Sequence, residues 1–255
     1  MLRAVPATYE TISSDEAAPV TTLTLSRPQA LNAITPTMLG ELSAALDVVA
    51  SDPAISVVVL TGEGRAFSAG VDLKAIGQQR PGQGEVGASL NDRARRVIDQ
   101  ITTLDAIVVA KINGFCFTGA MELALACDLI VTAEEAVFGD THAKWGLRPT
   151  WGMSQRLPRF VGLARARELS YTGRRFTGAE AAEWGLAVRA VPAVELDSAV
   201  QALADEIAAN SKGSLLAYKD LYRASERLPL LEGLQYEFGT NYAIEDSADR
   251  VSGFR

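Results

Sequence analysis

Histidine occurs once in the 255 residues, as His142, and cysteine twice, as Cys116 and Cys127. A zinc-type ligand set draws on several such side chains, so none is expected. Two cysteines in apolar surroundings make no disulfide framework; they read as small buried hydrophobes in a reducing compartment. Basic residues are outnumbered, 24 Lys and Arg against 31 Asp and Glu, which leaves a net charge of −7. Nucleic acid and anionic membrane surfaces call for a basic face, so neither is an expected partner. An anionic small molecule needs only a local patch and stays open. No apolar run approaches a membrane span. The opening stretch, MLRAVPATYETISSDEAAP, lacks the apolar centre of a signal peptide. The expected location is the cytoplasm, or else an organelle lumen.

What is present suits a soluble globular chain with a sizeable core, arranged as one large or two small domains. Residues 20–26, VTTLTLS, alternate like a strand. Thr35 and Pro36 give a capping hydroxyl and a first-turn proline, and Leu39, Leu42, Leu46 and Val49 follow at helical spacing. ISVVVL (55–60) and the run 107–112 are β-branched and apolar, as buried strands are. The Gly-, Gln- and Pro-rich segment 77–88 reads as a mobile surface loop, with a lid as a further reading, and a helix is expected over 89–104. Residues 119–127 read as helix and 129–132 as strand. Thr177 and Glu180 form a capping-box pattern, and helices are expected near 195–210, 214–226 and 230–245. The result is an α/β core followed by a helical portion, with no clear linker and no visible sequence repeat.

Two segments share a plan: VVVLTGEGRAFSAGVDLK (57–74) and VVAKINGFCFTGAMELALACD (108–128) each run from a buried strand through glycines into a helix. Such a turn leaves main-chain N–H groups without partners, ready for an oxyanion. The pair Gly62 and Gly64 does not make a dinucleotide fingerprint, because Phe67 stands where its third glycine belongs. Glu122 is one of only two charged residues between Phe115 and Val131, the other being Asp128. A carboxylate on an otherwise apolar helix is paired, neutralised or used. It lies one turn beyond Gly119, and helical side chains lean towards the N-terminus, so the carboxylate points back at the space the Gly119 N–H faces. A glutamate reaching the surface and a buried structural ion pair both remain open at this stage.

The segments RPQALNAI (27–34), GRAFSAGVDLK (64–74), INGFCFTGAMELALACDL (112–129), FGDTHAKWGLRP (138–149), QRLPRFVG (155–162) and TGRRFTGAEAAEWGLAVRAVP (172–192) together resemble the crotonase, or enoyl-CoA hydratase/isomerase, superfamily. The likeness runs in order over roughly residues 20–250. It implies a spiral of repeated β-β-α units over residues 1–195 and a helical oligomerisation portion over 196–255, which would assemble a homotrimer or a dimer of trimers. It implies an acyl-CoA thioester as substrate, with coenzyme A carried by that substrate and no permanently bound cofactor or metal.

By the same resemblance, the N–H groups of Val71 and Gly119 polarise the thioester carbonyl; losing one such donor costs about 2.7–4 kcal/mol. Ser68, Ala69, Gly70, Val71, Asp72, Leu73 and Lys74 line the CoA site, Lys74 meeting a phosphate, and Leu31 and Asn32 sit against the pantetheine and adenine end. Glu122 matches one of the two catalytic glutamates of the family's hydratases. His142 stands where the second falls, with Thr141 in place of a proline, and Thr118 and Ala120 flank the retained Gly119. A neutral imidazole there can hold a water or take a proton at pH 7. Asp140 is placed to orient the ring or to serve as an acid. Phe254 and Arg255 stand where relatives carry a CoA-touching Phe and Lys.

The expected activity is addition of water across the 2,3 double bond of a 2-enoyl-CoA. The alternatives are a double-bond isomerase and a catalytically silent acyl-CoA-binding homologue. A serine hydrolase built on Ser68 and His142 is disfavoured, since Ser68 lies in no G-x-S-x-G elbow.

Overall fold

The computed structural model describes residues 9–15, 17–74, 84 and 86–254. Most of the loop read at 77–88, and Arg255, fall outside these residues. Two sheets carry the architecture. The larger has six strands: β1 (Ile12–Asp15), β2 (Val20–Leu25), β3 (Val57–Gly62), β5 (Ile107–Ile112), β7 (Leu129–Ala133) and β10 (Arg189–Val191), in that spatial order. Only β1 runs antiparallel to its neighbour. All six residues of β3 are buried, as befits a parallel strand covered on both faces. The smaller sheet orders β4 (Ala66–Ser68), β6 (Phe115–Phe117), β8 (Val137–Gly139) and β9 (Phe176–Thr177). Each of its first three strands follows a strand of the large sheet after a tight turn. This is the repeated β-β-α plan the sequence resemblance implied.

Helices form where local chemistry favours them. α1 (Pro36–Ser51) starts on Thr35, whose hydroxyl accepts from the Met38 N–H at 3.1 Å. It buries Leu39, Leu42, Leu46 and Val49 and packs on α2 (Ala88–Thr103), which buries Ala94, Val97, Ile98 and Ile101. α3 (Gly119–Ala124) is shorter than the apolar pattern over 119–127 suggests; the chain must turn early to enter β7. α4 (Met153–Val161) and α5 (Leu163–Thr172) pair with each other, and the capping box at Thr177 and Glu180 opens α6 (Gly178–Glu183). Cys116 and Cys127 are free and buried.

α7 (Leu196–Ala208) lays Leu196, Val200 and Ala204 into the core against the large sheet. α9 (Leu230–Gly239) ends earlier than the expected 245 and α10 (Ser247–Ser252) follows it; neither buries a residue. No helix among the described residues is long and apolar enough to cross a membrane.

α8 (Lys212–Ser225) is tied to the core by a buried cation. The Lys219 ammonium pairs with Asp128 at 2.8 Å and donates to the carbonyls of Ala106 at 2.8 Å and Ile101 at 3.2 Å. Removing it strands a mostly buried carboxylate, so Lys219→Met is expected to destabilise the fold by about 3 kcal/mol. The urea unfolding midpoint measures this, and an unchanged midpoint would show that the pair contributes nothing.

Candidate active site

The small sheet gathers three loops at one edge. β4, β6 and β8 are parallel, with Ser68 opposite Cys116 and Phe117 opposite Gly139. Residues 69–71, 118–119 and 140–142 therefore leave the sheet side by side, at the carboxyl ends of its strands, where ligands of parallel α/β sheets bind.

In the first loop the Ser68 hydroxyl accepts from the Gly70 N–H at 3.1 Å. Gly70 has φ +87°, and a Cβ there would sit 2.7 Å from the Phe117 carbonyl oxygen, so this position needs glycine on both counts. The bridge to Ile34 uses the Gly70 carbonyl, at 2.8 Å, and the Asp72 N–H, at 2.9 Å. The Val71 N–H between them meets no acceptor among the described residues. Neither does that of Gly119, the first residue of α3. The two loops touch: a Cβ on Gly119 would lie 3.3 Å from Val71 Cγ2 and 2.7 Å from the Trp151 ring. Thr118 turns the chain into α3 at φ 54°, ψ −111°, held by its N–H on the Gly139 carbonyl at 3.0 Å and by a 2.6 Å contact between its hydroxyl and that of Thr141.

Glu122 is 1% exposed. Its Oε1 accepts from the main-chain N–H groups of Trp151, at 2.9 Å, and Met153, at 3.0 Å. That fixes one oxygen and presents the other. Oε2 faces His142 Nε2 at 3.5 Å. The far side of the ring rests on Asp140, Nδ1 to Oδ1 at 2.7 Å, and the second Asp140 oxygen accepts from the Ser170 hydroxyl at 2.7 Å.

Burial works against a proton on His142, but the hydrogen bond to Asp140 and the Glu122 carboxylate opposite outweigh it and carry the pKa up to about 9. The neutral imidazole expected from sequence is thus corrected: between two carboxylates the ring is cationic at pH 7. Asp140 is corrected likewise as a candidate acid. Burial pushes its carboxyl up, yet hydrogen bonds from His142 and Ser170 hold it below the usual carboxylate range, so it orients rather than donates.

Val71, Gly119, Glu122 and His142 line a single cavity of about 50 Å³, with Ala69, Leu73 and Trp151 in its wall. A larger cavity, about 610 Å³, lies beside Lys219 and Arg223 and reaches none of these groups. Other residues expected to touch substrate fall outside the small cavity. Asn32 is fully buried; its amide donates to the carbonyls of Glu63 and Ala66 at 2.9 and 2.8 Å and accepts from the Arg27 N–H at 2.8 Å. Its side chain is occupied in locking a turn. Ser68 is likewise buried in its own turn, and Asp72 pairs with Arg27 at 3.1 Å. Leu31 and Lys74 lie off the cavity, Lys74 exposed. Sequence reasoning missed Trp151, Met153 and Ser170. The first two act through main-chain N–H groups, which leave no residue-type signal, and Ser170 lies 30 positions from its partner.

The two linked sheets, the pair of amides that meet no acceptor among the described residues and the carboxylate–imidazole pair define an α/β enzyme of the crotonase fold. The chain belongs to the enoyl-CoA hydratase/isomerase family, whose model matches residues 15–255. It is 34% identical over 222 residues to a probable peroxisomal enoyl-CoA hydratase of Arabidopsis thaliana, covering 87% of this chain and 82% of that one. The enoyl-CoA hydratase structure from Bacillus anthracis superposes with a TM-score of 0.85 at 34% identity, over 90% of this chain and 89% of its own. A putative enoyl-CoA hydratase from Thermobifida fusca, solved in complex with CoA, gives 0.81 at 29% identity, over 95% and 93%.

The geometry at Gly70 is directly testable. Gly70→Ala combines a positive φ with a main-chain clash and is expected to cost roughly 1–3 kcal/mol. Gly64→Ala also sits at positive φ (+73°) but has no neighbour closer than 3.4 Å, so its melting temperature should fall less. Equal losses would remove the steric argument.

Proposed function

We propose that this chain hydrates the 2,3 double bond of a 2-enoyl-CoA thioester. The observation that carries the reading is the convergence, on one cavity, of two N–H groups that meet no acceptor among the described residues and two side chains able to transfer protons. The Val71 and Gly119 amides take the thioester oxygen. Being fixed before the reaction, they stabilise negative charge as it develops there without reorganising. Glu122 Oε2 and His142 Nε2, 3.5 Å apart and both lining the cavity, hold one water on the cavity side of their contact. The water oxygen bonds to C3 while its proton passes to Glu122 Oε2, the free oxygen. The π electrons move through C2 to the thioester oxygen, and the resulting enolate then takes a proton at C2. No electron is transferred to or from the substrate, so the step calls for no redox carrier.

The CoA portion would leave the cavity past Leu73 and Lys74, both exposed. That a relative of this fold was solved with CoA supports the assignment of the ligand. The helical portion, residues 196–255, would be the surface on which copies associate as a trimer or a dimer of trimers. Leu230, Leu231, Leu234 and Phe238 of α9 are 77, 74, 53 and 96% exposed, an apolar face that association would cover.

The test is the loss of the enone-thioester absorbance of crotonyl-CoA on adding the protein. Glu122→Gln keeps the main-chain hydrogen bonds but removes the base, so turnover should fall by about 10²–10⁴-fold while crotonyl-CoA still binds. A fully active Glu122→Gln enzyme would sink the mechanism. Turnover of a 3-enoyl-CoA in its place would make the protein an isomerase, and binding without turnover a silent homologue.

A further inference from the structure

We propose that Asp140, seated by Ser170, is a positioning residue that fixes the His142 ring as an imidazolium and so makes its Nε2–H the proton donor to C2. The identity of C2 as acceptor rests on the hydration reading above. The ring's orientation and charge rest on the site alone.

Three observations carry the inference. First, both Asp140 oxygens are committed. Oδ1 accepts from Nδ1 at 2.7 Å and from the His142 main-chain N–H at 3.3 Å, while Oδ2 accepts from Ser170 at 2.7 Å. At 2% exposure this carboxylate cannot turn to water, and its geometry requires a proton on Nδ1. Second, Nε2 is directed at another carboxylate, Glu122, whose own Oε1 is held by two main-chain N–H groups. The ring is clamped between acceptors on both sides, so each ring nitrogen is best served by carrying hydrogen. Third, a neutral ring would leave two buried carboxyl groups facing each other across the ring with hydrogen-bond donors but no positive charge between them, an arrangement that burial disfavours.

The other charged or titratable groups nearby are Lys144 on the same short turn, Arg148 in the wall of the cavity, and Arg167 and Tyr171 of α5 across an adjoining space of about 390 Å³. Those cations oppose the proton, but none replaces the direct contacts to Asp140 and Glu122; the net effect is the raised pKa of about 9.

The step balances. Addition of water leaves Glu122 protonated on Oε2. The enolate then takes the Nε2 proton at C2, forming the C–H bond and leaving the imidazole neutral. Return of the proton from Oε2 to Nε2 restores carboxylate and imidazolium, and the two atoms stand 3.5 Å apart for that exchange. Each turnover thus consumes one water and no net proton.

The experiment exploits the single histidine: in ¹⁵N-labelled protein every imidazole signal belongs to His142. Without substrate, the wild-type ring should be protonated on both nitrogens at pH 7.5 and lose a proton only as pH rises through about 9. Asp140→Asn removes the anion, so the titration should move to lower pH. Ser170→Ala should move it the same way by less. With crotonyl-CoA, kcat of the wild type should fall along the same alkaline limb. In Asp140→Asn, kcat should drop by about 10²–10⁴-fold with KM nearly unchanged, and the limb should shift with the ring. Ser170→Ala should lower kcat about tenfold, the lower end of what one hydrogen bond to a charged group contributes.

A ring that is neutral at pH 7.5 in the wild type overturns the proposal. So does an Asp140→Asn enzyme with unchanged titration and kcat. If Asp140→Asn does not fold, the wild-type spectrum and Ser170→Ala still decide. If the ring titrates as stated but crotonyl-CoA is not hydrated, the function proposed above fails while the clamp stands.

Discussion

The site depends on the hydrogen bonding of three very short parallel strands. β4, β6 and β8 contribute three residues each, and their mutual register sets where the following loops begin. A slip of one residue would reverse the direction of every side chain beyond it. Val71, Gly119 and His142 come from positions spread over more than seventy residues, yet each lies two or three positions past a paired strand end. The large sheet, with fully buried β3 at its centre, holds these strands from behind. The energy of the fold lies mainly in the large sheet and its helices, and the precision of the site lies in the small one.

Electrostatics in this pocket follows a simple division. Each carboxylate has one oxygen immobilised by hydrogen-bond donors and the other turned to the ring: Glu122 through Trp151 and Met153, Asp140 through Ser170. Immobilised acceptors cannot relax away from a changing charge, so they favour the imidazolium more strongly than mobile water would. Trp151 links this arrangement to the wall of the cavity. Its indole N–H donates to Asn91 at 2.8 Å, its main-chain N–H holds Glu122, and its ring occupies the space a side chain on Gly119 would need. One residue thereby couples the position of the Glu122 carboxylate to the position of the Gly119 amide.

Much of this was legible in the sequence, and the remainder has identifiable causes. Long buried strands such as β3 and β5 announce themselves by β-branched runs, and α1 by its Thr-Pro start. Three-residue strands carry no usable period, so β4, β6 and β8 were invisible except through family resemblance. Glu122 stood out because a lone carboxylate in an apolar helix demands a reason. The turn-locking role of Asn32 left no sequence signal, because its buried amide joins two carbonyls and an N–H that only the folded turn brings together. The charge of His142 was beyond sequence altogether: it follows from two carboxylates, one 20 residues away, meeting a single ring.

Thr118, Thr141 and His142, three of the positions at which this sequence departs from the pattern it resembles, lie close together. The hydroxyls of Thr118 and Thr141 are 2.6 Å apart, a link that glycine and proline at those positions cannot make. Thr141 has φ −102°, outside the range near −65° to which a proline ring is confined. The turn that carries His142 therefore has a backbone that the family's proline would not adopt, and the Thr118 hydroxyl helps to hold it there. Thr118 in turn sits at a positive φ that a β-branched residue enters only when its surroundings compel it. In this turn Asp140, two residues upstream, meets the far side of the His142 ring at 2.7 Å, and an imidazole without that carboxylate would lack both its orientation and much of the reason for its charge.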